Sequence, residues 1–179
     1  MARLRTIHPD NADGKTKRLF NTVQHKLGKV PNMLRIMGNS PAVLEGYLSF
    51  SAALNENSIG AELNELIALT VANENGSNYC HVAHFYQGEK IICLDIVTLE
   101  HAIHGESHDP KINTALKFAL EVIASKGKVS DKMINEIKSA GYDDTQISEI
   151  VGTVALNIFT DYFNNVAQTD IDGPVLPIY

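Results

Sequence analysis

Apolar residues recur along this chain at three- and four-residue steps, the spacing of one face of an α-helix. The longest run lies near the C-terminus, where Ile147, Ile150, Val151, Val154, Ala155, Ile158, Phe159, Tyr162 and Val166 keep that step over about five turns. This pattern predicts a long core helix. Nowhere do four or more residues alternate apolar and polar with β-branched enrichment and a hairpin turn, so strands are not expected. The predicted class is all-α, a compact multi-helix bundle folded as a single domain over 1–179.

Punctuating residues divide the rest. Residues 1–13 read as an extended arm. A helix over 15–27 sets Leu19, Phe20, Val23 and Leu27 on one face and closes at Gly28. Pro31 opens a short helical turn through Met37, and Ser40 with Pro41 reads as N-cap and first residue of a helix to Leu54. After a turn at 57–60, the helix over 61–75 is apolar around most of its circumference, which predicts burial on nearly all sides. Its Glu65 falls among Ala61, Ala68 and Ala72, a small-residue face that lets another helix approach and sets the carboxylate between packed backbones. An ordinary surface glutamate is the competing reading. The following helix starts near Asn78 with Ser77 at the N-cap and is expected to stop at Gly88. Later helices are predicted over 94–103, 113–126 and 131–140, closed by Gly105, Gly127 and Gly141, with Ser130 capping the third. The tail over 170–179, with two prolines and three aliphatic residues, reads as docked against a neighbour.

Composition narrows the function. At 179 residues with 44% apolar and 20% charged, the chain is long and apolar enough for a sizeable core. The net charge is −6 and no Lys/Arg stripe appears, which argues against a nucleic acid or anionic membrane surface as partner. No run approaches the ~20 apolar residues that span a bilayer, and the N-terminus lacks a signal-peptide core, so cytoplasmic residence is expected. Two cysteines, Cys80 and Cys93, are too few for a disulfide-built scaffold and are expected as free thiols.

The chemistry concentrates in one stretch, ELIALTVANENGSNYCHVAHFYQG, which begins at Glu65. With Ser77 at the N-cap, Cys80 falls in the first helical turn, where unpaired N–H groups and the helix dipole favour an anion. Such a position lowers a thiol pKa from ~8.5 toward neutrality. His84, at i+4, can take the thiol proton, and a buried Glu65 can orient the imidazole. Against this stands the inert helical cysteine, a small hydrophobe, and spacing alone does not separate the two. Glu100, His101, His104 and His108 have a spacing that suits metal ligands. Gly105 and Asp109-Pro110 interrupt the helix there, so an exposed polar loop is expected, with no metal and no cofactor. His81 is expected to face away from the Cys80–His84 side.

The segment from Glu65 to His84 reads E-x11-S-x2-C-x3-H. It resembles the E-x11-C-x2-C-x3-H signature of the carboxymuconolactone decarboxylase and alkylhydroperoxidase D superfamily. The likeness extends through GKVPNMLRIMGNSPAVLEGYLSFSAAL before the motif, and through DPKINTALKFALEVIASKGKVSD and VALNIFTDYFNNVAQTDID after it, which look like the peroxidase-related branch. That resemblance implies an all-helical fold assembled as a homo-oligomer, a trimer or hexamer. It gives Glu65 a place in the proton relay, Cys80 the role of attacking a hydroperoxide and His84 that of activating base. The first cysteine of the family pair is Ser77 here, and the residue before Cys80, a relay histidine in the best-known peroxidases, is Tyr79.

Losing that cysteine removes the CxxC disulfide. A Cys80 sulfenic acid would need another thiol, either an external reductant or Cys93, to resolve it. Cys93 reads better as buried apolar filler within Ile91-Ile92-Cys93-Leu94. The function expected from the resemblance is a thiol-dependent, peroxiredoxin-type peroxidase. Two other readings stand beside it. One is lactone decarboxylation, which needs no thiol but does need cationic groups for substrate carboxylates, and no Arg lies near the motif. The other is a non-catalytic redox sensor or scaffold, with a Cys80 of ordinary reactivity.

Overall fold

The structure, a computed structural model, describes residues 2–171, so the expectation for the tail falls almost wholly outside the described residues. Among these residues there is no strand. A short 3-10 turn at Pro9–Asn11 precedes α1 (Gly14–Leu27), α2 (Asn32–Met37), α3 (Pro41–Leu54), α4 (Gly60–Glu74) and α5 (Asn78–Lys90). Then come α6 (Ile96–Ile103), α7 (Pro110–Ala124), α8 (Asp131–Ser139) and α9 (Asp144–Ala167). No helix of the described residues is long and apolar enough to cross a membrane.

The sequence punctuation is largely realised. Ser40 and Ser130 accept from the backbone N–H groups of Val43 and Met133, and Gly28 ends α1 at φ 74°. The start of α7 moves back to Pro110, because the Asp109 carboxylate accepts from both Lys111 and Ile112 and caps the helix. In α9 the Asp143 and Gln146 side chains form a reciprocal capping box.

α4 is the hub. Apolar around its circumference, it packs against α5, α6, α7 and α9. Leu66, Ile67, Leu69 and Val71 are fully buried, and Thr70 Oγ1 donates to the Ala102 carbonyl in α6 at 2.7 Å. On one side lies a core shared with Leu99, Leu116, Phe118 and Ile137. On the other, Ala72 joins Phe20, Leu34, Met37, Leu44, Tyr79 and Cys80. The stretch from Glu65 to His84 therefore lies between two packed cores. Ala68 and Ala72 are buried as expected, whereas Ala61 is exposed at the start of α4.

Two expectations are corrected by packing. Gly88 does not stop α5, which runs on to Lys90. A Cβ at Gly88 would lie 2.5 Å from Leu99 Cδ2 and 3.6 Å from Glu65 Cγ, so the glycine serves close approach to α4 and α6. The second concerns α9, expected to be core along its apolar stripe. Ile150 and Val154 are buried, but Val151, Phe159, Tyr162 and Val166 are 39–64% exposed. The face turned inward is polar: Thr153, Asn157, Thr160, Asp161 and Asn164. Periodicity located the helix; its inward face in the C-terminal half is the one that lines the site.

Replacing Gly88 with Val is expected to destabilise the fold by about 1–3 kcal/mol through overpacking against Leu99. Chemical denaturation would read this as a lower midpoint; an unchanged midpoint would refute the packing role.

Candidate functional site

α4 and α5 are joined by a tight turn. Asn75 caps α4, Gly76 sits at φ 61°, and Ser77 N donates to Ala72 O at 2.9 Å. The reversal lays α5 beside α4 and brings His84 against Glu65. His84 Nδ1 donates to Glu65 Oε1 at 2.8 Å, with Glu65 only 3% exposed and the His84 ring mostly covered. Glu65 is thus a buried, paired carboxylate and the surface reading fails. Burial acts most strongly on His84 and disfavours its charge, but Glu65, helped by Asp161 and Asn157, outweighs this and holds its pKa above the ordinary value.

Cys80 lies in the first turn of α5, as predicted, but its environment reverses the expected acidity. The side chain is 3% exposed. Burial first, and the Asp161 carboxyl second, push the thiol up to about 12, against the helix dipole. Ser77 occupies the N-cap position without capping through its side chain. Its buried hydroxyl makes no full hydrogen bond and sits close enough to Cys80 and Asp161 to favour their anions. Asn164 Nδ2 donates to Cys80 Sγ at 3.2 Å.

Sequence reasoning missed the contribution of α9. Asn157, Thr160, Asp161 and Asn164 fall on one helical face and close over the α4–α5 turn. Asp161 is fully buried, and its Oδ2 accepts from Asn75 Nδ2 at 2.9 Å. Asn165 Nδ2 donates to the Asn75 carbonyl at 2.9 Å and fastens the same turn. The available signal was the polar set itself, repeating at helical spacing inside a helix that also carries a long apolar stripe.

A cavity of about 100 Å³ opens beside the thiol. Its wall carries Cys80, His84, Glu65, Tyr47, Tyr79 and Asn157, with apolar side chains from α2 and α3 over the remainder. That space holds several waters or a small organic group. Tyr79 is buried in the second core, and the Tyr47 hydroxyl is held protonated by burial and by the neighbouring Cys80.

The remaining candidates lie elsewhere. Cys93 is exposed in the α5–α6 loop at φ 63°, so the apolar-filler reading fails: the chain turns outward there, with Ile91 half exposed. Ten residues of α5, roughly 15 Å of helix, separate Cys80 from Lys90. A disulfide needs Cα atoms within about 7 Å, so intrachain resolution by Cys93 would require α5 to unwind. The His101 and His108 rings meet at 4.4 Å between centroids, tilted by 43°, yet among the described residues no group of three metal-ligating side chains converges. His81 is half-buried and stacks on Phe85.

Searches against protein-family models and curated proteins by sequence return no match. Solved structures do match. A peroxidase-related protein from Silicibacter sp. TM1040 aligns at TM-score 0.80 and 21% identity, covering 97% of this chain and 96% of that one. A peroxidase-related protein with an alkylhydroperoxidase core from Ralstonia eutropha JMP134 aligns at TM-score 0.82 and 17% identity, covering 99% and 98%. The debrominase Bmp8, as a cysteine-to-alanine variant in complex with 2,3,4-tribromopyrrole, aligns at 0.78 and 19% identity over 97% and 93%. The chain therefore has the alkylhydroperoxidase D-type fold that its motif suggested.

Because His84 has a raised folded pKa, its charged form adds stability below about 6.5, and this is lost as pH rises through the raised value. Substituting Glu65 with Gln is expected to lower the His84 pKa, since burial then acts with less opposition. Titration of the His84 ring by NMR checks this; an unmoved midpoint would show that the pair does not control the imidazole.

Proposed function

We propose that this chain is a thiol-dependent, peroxidase-like oxidoreductase in which Cys80 reduces a hydroperoxide. The observation that carries the reading is a cysteine and a glutamate–histidine pair on the wall of one small, mostly apolar cavity. In the reaction, the Cys80 thiolate attacks the peroxide, an S–O bond forms, the O–O bond breaks, and the thiol becomes a sulfenic acid. His84, whose imidazolium form Glu65 favours, protonates the leaving alkoxide. An external thiol then returns Cys80 to its resting state, since Ser77 offers no sulfur and Cys93 lies beyond the far end of α5.

The apolar wall and the tyrosines favour a small organic hydroperoxide over hydrogen peroxide. Bmp8, a debrominase of the same fold, makes a brominated pyrrole a sensible second probe, read as bromide release. Lactone decarboxylation has weaker support, because no Lys or Arg lines the cavity to hold substrate carboxylates. The quiet-thiol alternative, a redox sensor or scaffold, draws support from the burial of Cys80 and its raised pKa. Assembly as a homo-oligomer is part of the proposal. The outer face of α9, with Phe159, Tyr162 and Val166, continues toward Phe50 of α3 and is apolar enough to seat a second copy.

Turnover of an organic hydroperoxide with a thiol donor is expected to fall by about 10³-fold or more in Cys80→Ser and to be unchanged in Cys93→Ser. Equal turnover by wild type and Cys80→Ser would sink the peroxidase reading, and absence of any turnover in wild type would favour the sensor. For the assembly, the double substitution Tyr162→Lys and Val166→Lys is expected to give a smaller species by light scattering; an unchanged mass would rule out this face.

A further inference from the structure

The peroxidase reading needs a group that takes the proton from Cys80, and the hydrogen bond His84 makes goes to Glu65 instead. The imidazole is committed through Nδ1 to Glu65, and its other polar neighbours are Asn157 and Asp161. The sulfur faces α9 and the α4–α5 turn. Asn164 Nδ2 donates to Sγ at 3.2 Å, and Asp161 lies one turn before Asn164 on the same face. Asp161 is fully buried, one oxygen is fixed by Asn75 at 2.9 Å, and the other, Oδ1, has no hydrogen-bond partner. The Ser77 hydroxyl beside it is equally unpartnered. A buried carboxylate oxygen left without a donor is costly, and a proton on that oxygen removes the cost.

We propose that Asp161 is the proton acceptor for the Cys80 thiol, the pair sharing one proton between sulfur and carboxylate, with Ser77 and Asn164 holding the thiolate form. This rests on Cys80 being the reactive group. The S–H bond breaks as an Oδ1–H bond forms; the thiolate then attacks the hydroperoxide, S–O forms and O–O breaks. The leaving alkoxide takes a proton from the His84 imidazolium, and the proton held by Asp161 restores the balance. The sum is thiol plus hydroperoxide to sulfenic acid plus alcohol. Because the proton moves within the pair, thiolate forms at neutral pH without release to solvent, which reconciles a reactive cysteine with a buried one. Burial raises both groups, so losing the second proton from the pair is confined to high pH.

The groups facing this pair are Asn75 and Ser77 from the turn, Asn164 on α9, His84 on α5 with Glu65 behind it on α4, and Tyr47 from α3. The test is the rate of Cys80 alkylation by iodoacetamide against pH in a Cys93→Ser background, which requires no peroxide turnover. Wild type is expected to show two steps, a plateau across neutral pH and a second rise in alkali. Asp161→Asn is expected to abolish the plateau, cutting the neutral-pH rate about tenfold or more, and to leave one step at lower pH than the wild-type upper step. Asn75→Ala keeps the carboxyl but removes a donor to it, so the first step should move to higher pH. His84→Gln should keep both steps and move the first to higher pH, because the imidazolium no longer favours the Asp161 carboxylate. A plateau that survives Asp161→Asn, or one that His84→Gln removes while Asn75→Ala leaves it unmoved, overturns the proposal. A normal two-step profile without hydroperoxide turnover would instead leave the proton pair intact and refute the peroxidase reading.

Discussion

The structure depends on a buried polar seam between α9 and the α4–α5 turn. A helix inserted into a protein interior ordinarily turns its apolar face inward. Here α9 does so only in its N-terminal half, through Ile150 and Val154, and then presents Asn157, Thr160, Asp161 and Asn164 to the interior. Burying such groups is unfavourable unless partners meet them. Asn75, the sulfur of Cys80 and the Met33 thioether supply several of those partners, and Asn157 and Thr160 also bond back to their own helix. The outward display of Phe159, Tyr162 and Val166 is the other side of the same arrangement: with the polar face of α9 turned inward, its apolar stripe in the C-terminal half faces out.

That seam sets the character of the thiol. A helix N-terminus by itself favours a thiolate. Enclosure under α9 removes water and adds a carboxyl neighbour, and these outweigh the dipole and raise the Cys80 thiol above its ordinary value. A serine rather than a cysteine at position 77 fits this setting. A second sulfur would permit a disulfide cycle, whereas the hydroxyl is a compact donor aimed at two groups that can become anions. The Glu65–His84 pair lines the same cavity and is coupled to Asp161: a buried carboxylate favours an imidazolium across 2.8 Å, and that imidazolium in turn favours the Asp161 carboxylate. In the proposed reaction, acid and base functions are divided between two carboxylates in different surroundings.

Much of this was legible in the residues. Helical class followed from the apolar spacing, and Ser40, Ser130 and Gly28 marked ends that the backbone obeys. The buried Glu65 was readable because its own helix is apolar on nearly every side, leaving no polar face to hold it. Two misreadings share one cause. Local preference reads Gly88 as a stop and Cys93 as core filler, and each position is decided by the packing around it: Leu99 and Glu65 against Gly88, and the outward turn after α5 at Cys93.

By itself the sequence determined which segments are helical, where most of them begin and end, and that Glu65, Cys80 and His84 belong to one pair of helices. These are consequences of short-range spacing, where a residue and its neighbours within a turn or two contain the needed physics. Only the tertiary structure decided which face of α9 points inward, because the apolar and polar stripes of that helix are both strong and the choice depends on α4, α5 and the turn between them. With that choice came Asp161, about eighty residues beyond Cys80 and invisible to any local pattern, and with Asp161 the proton chemistry of the thiol.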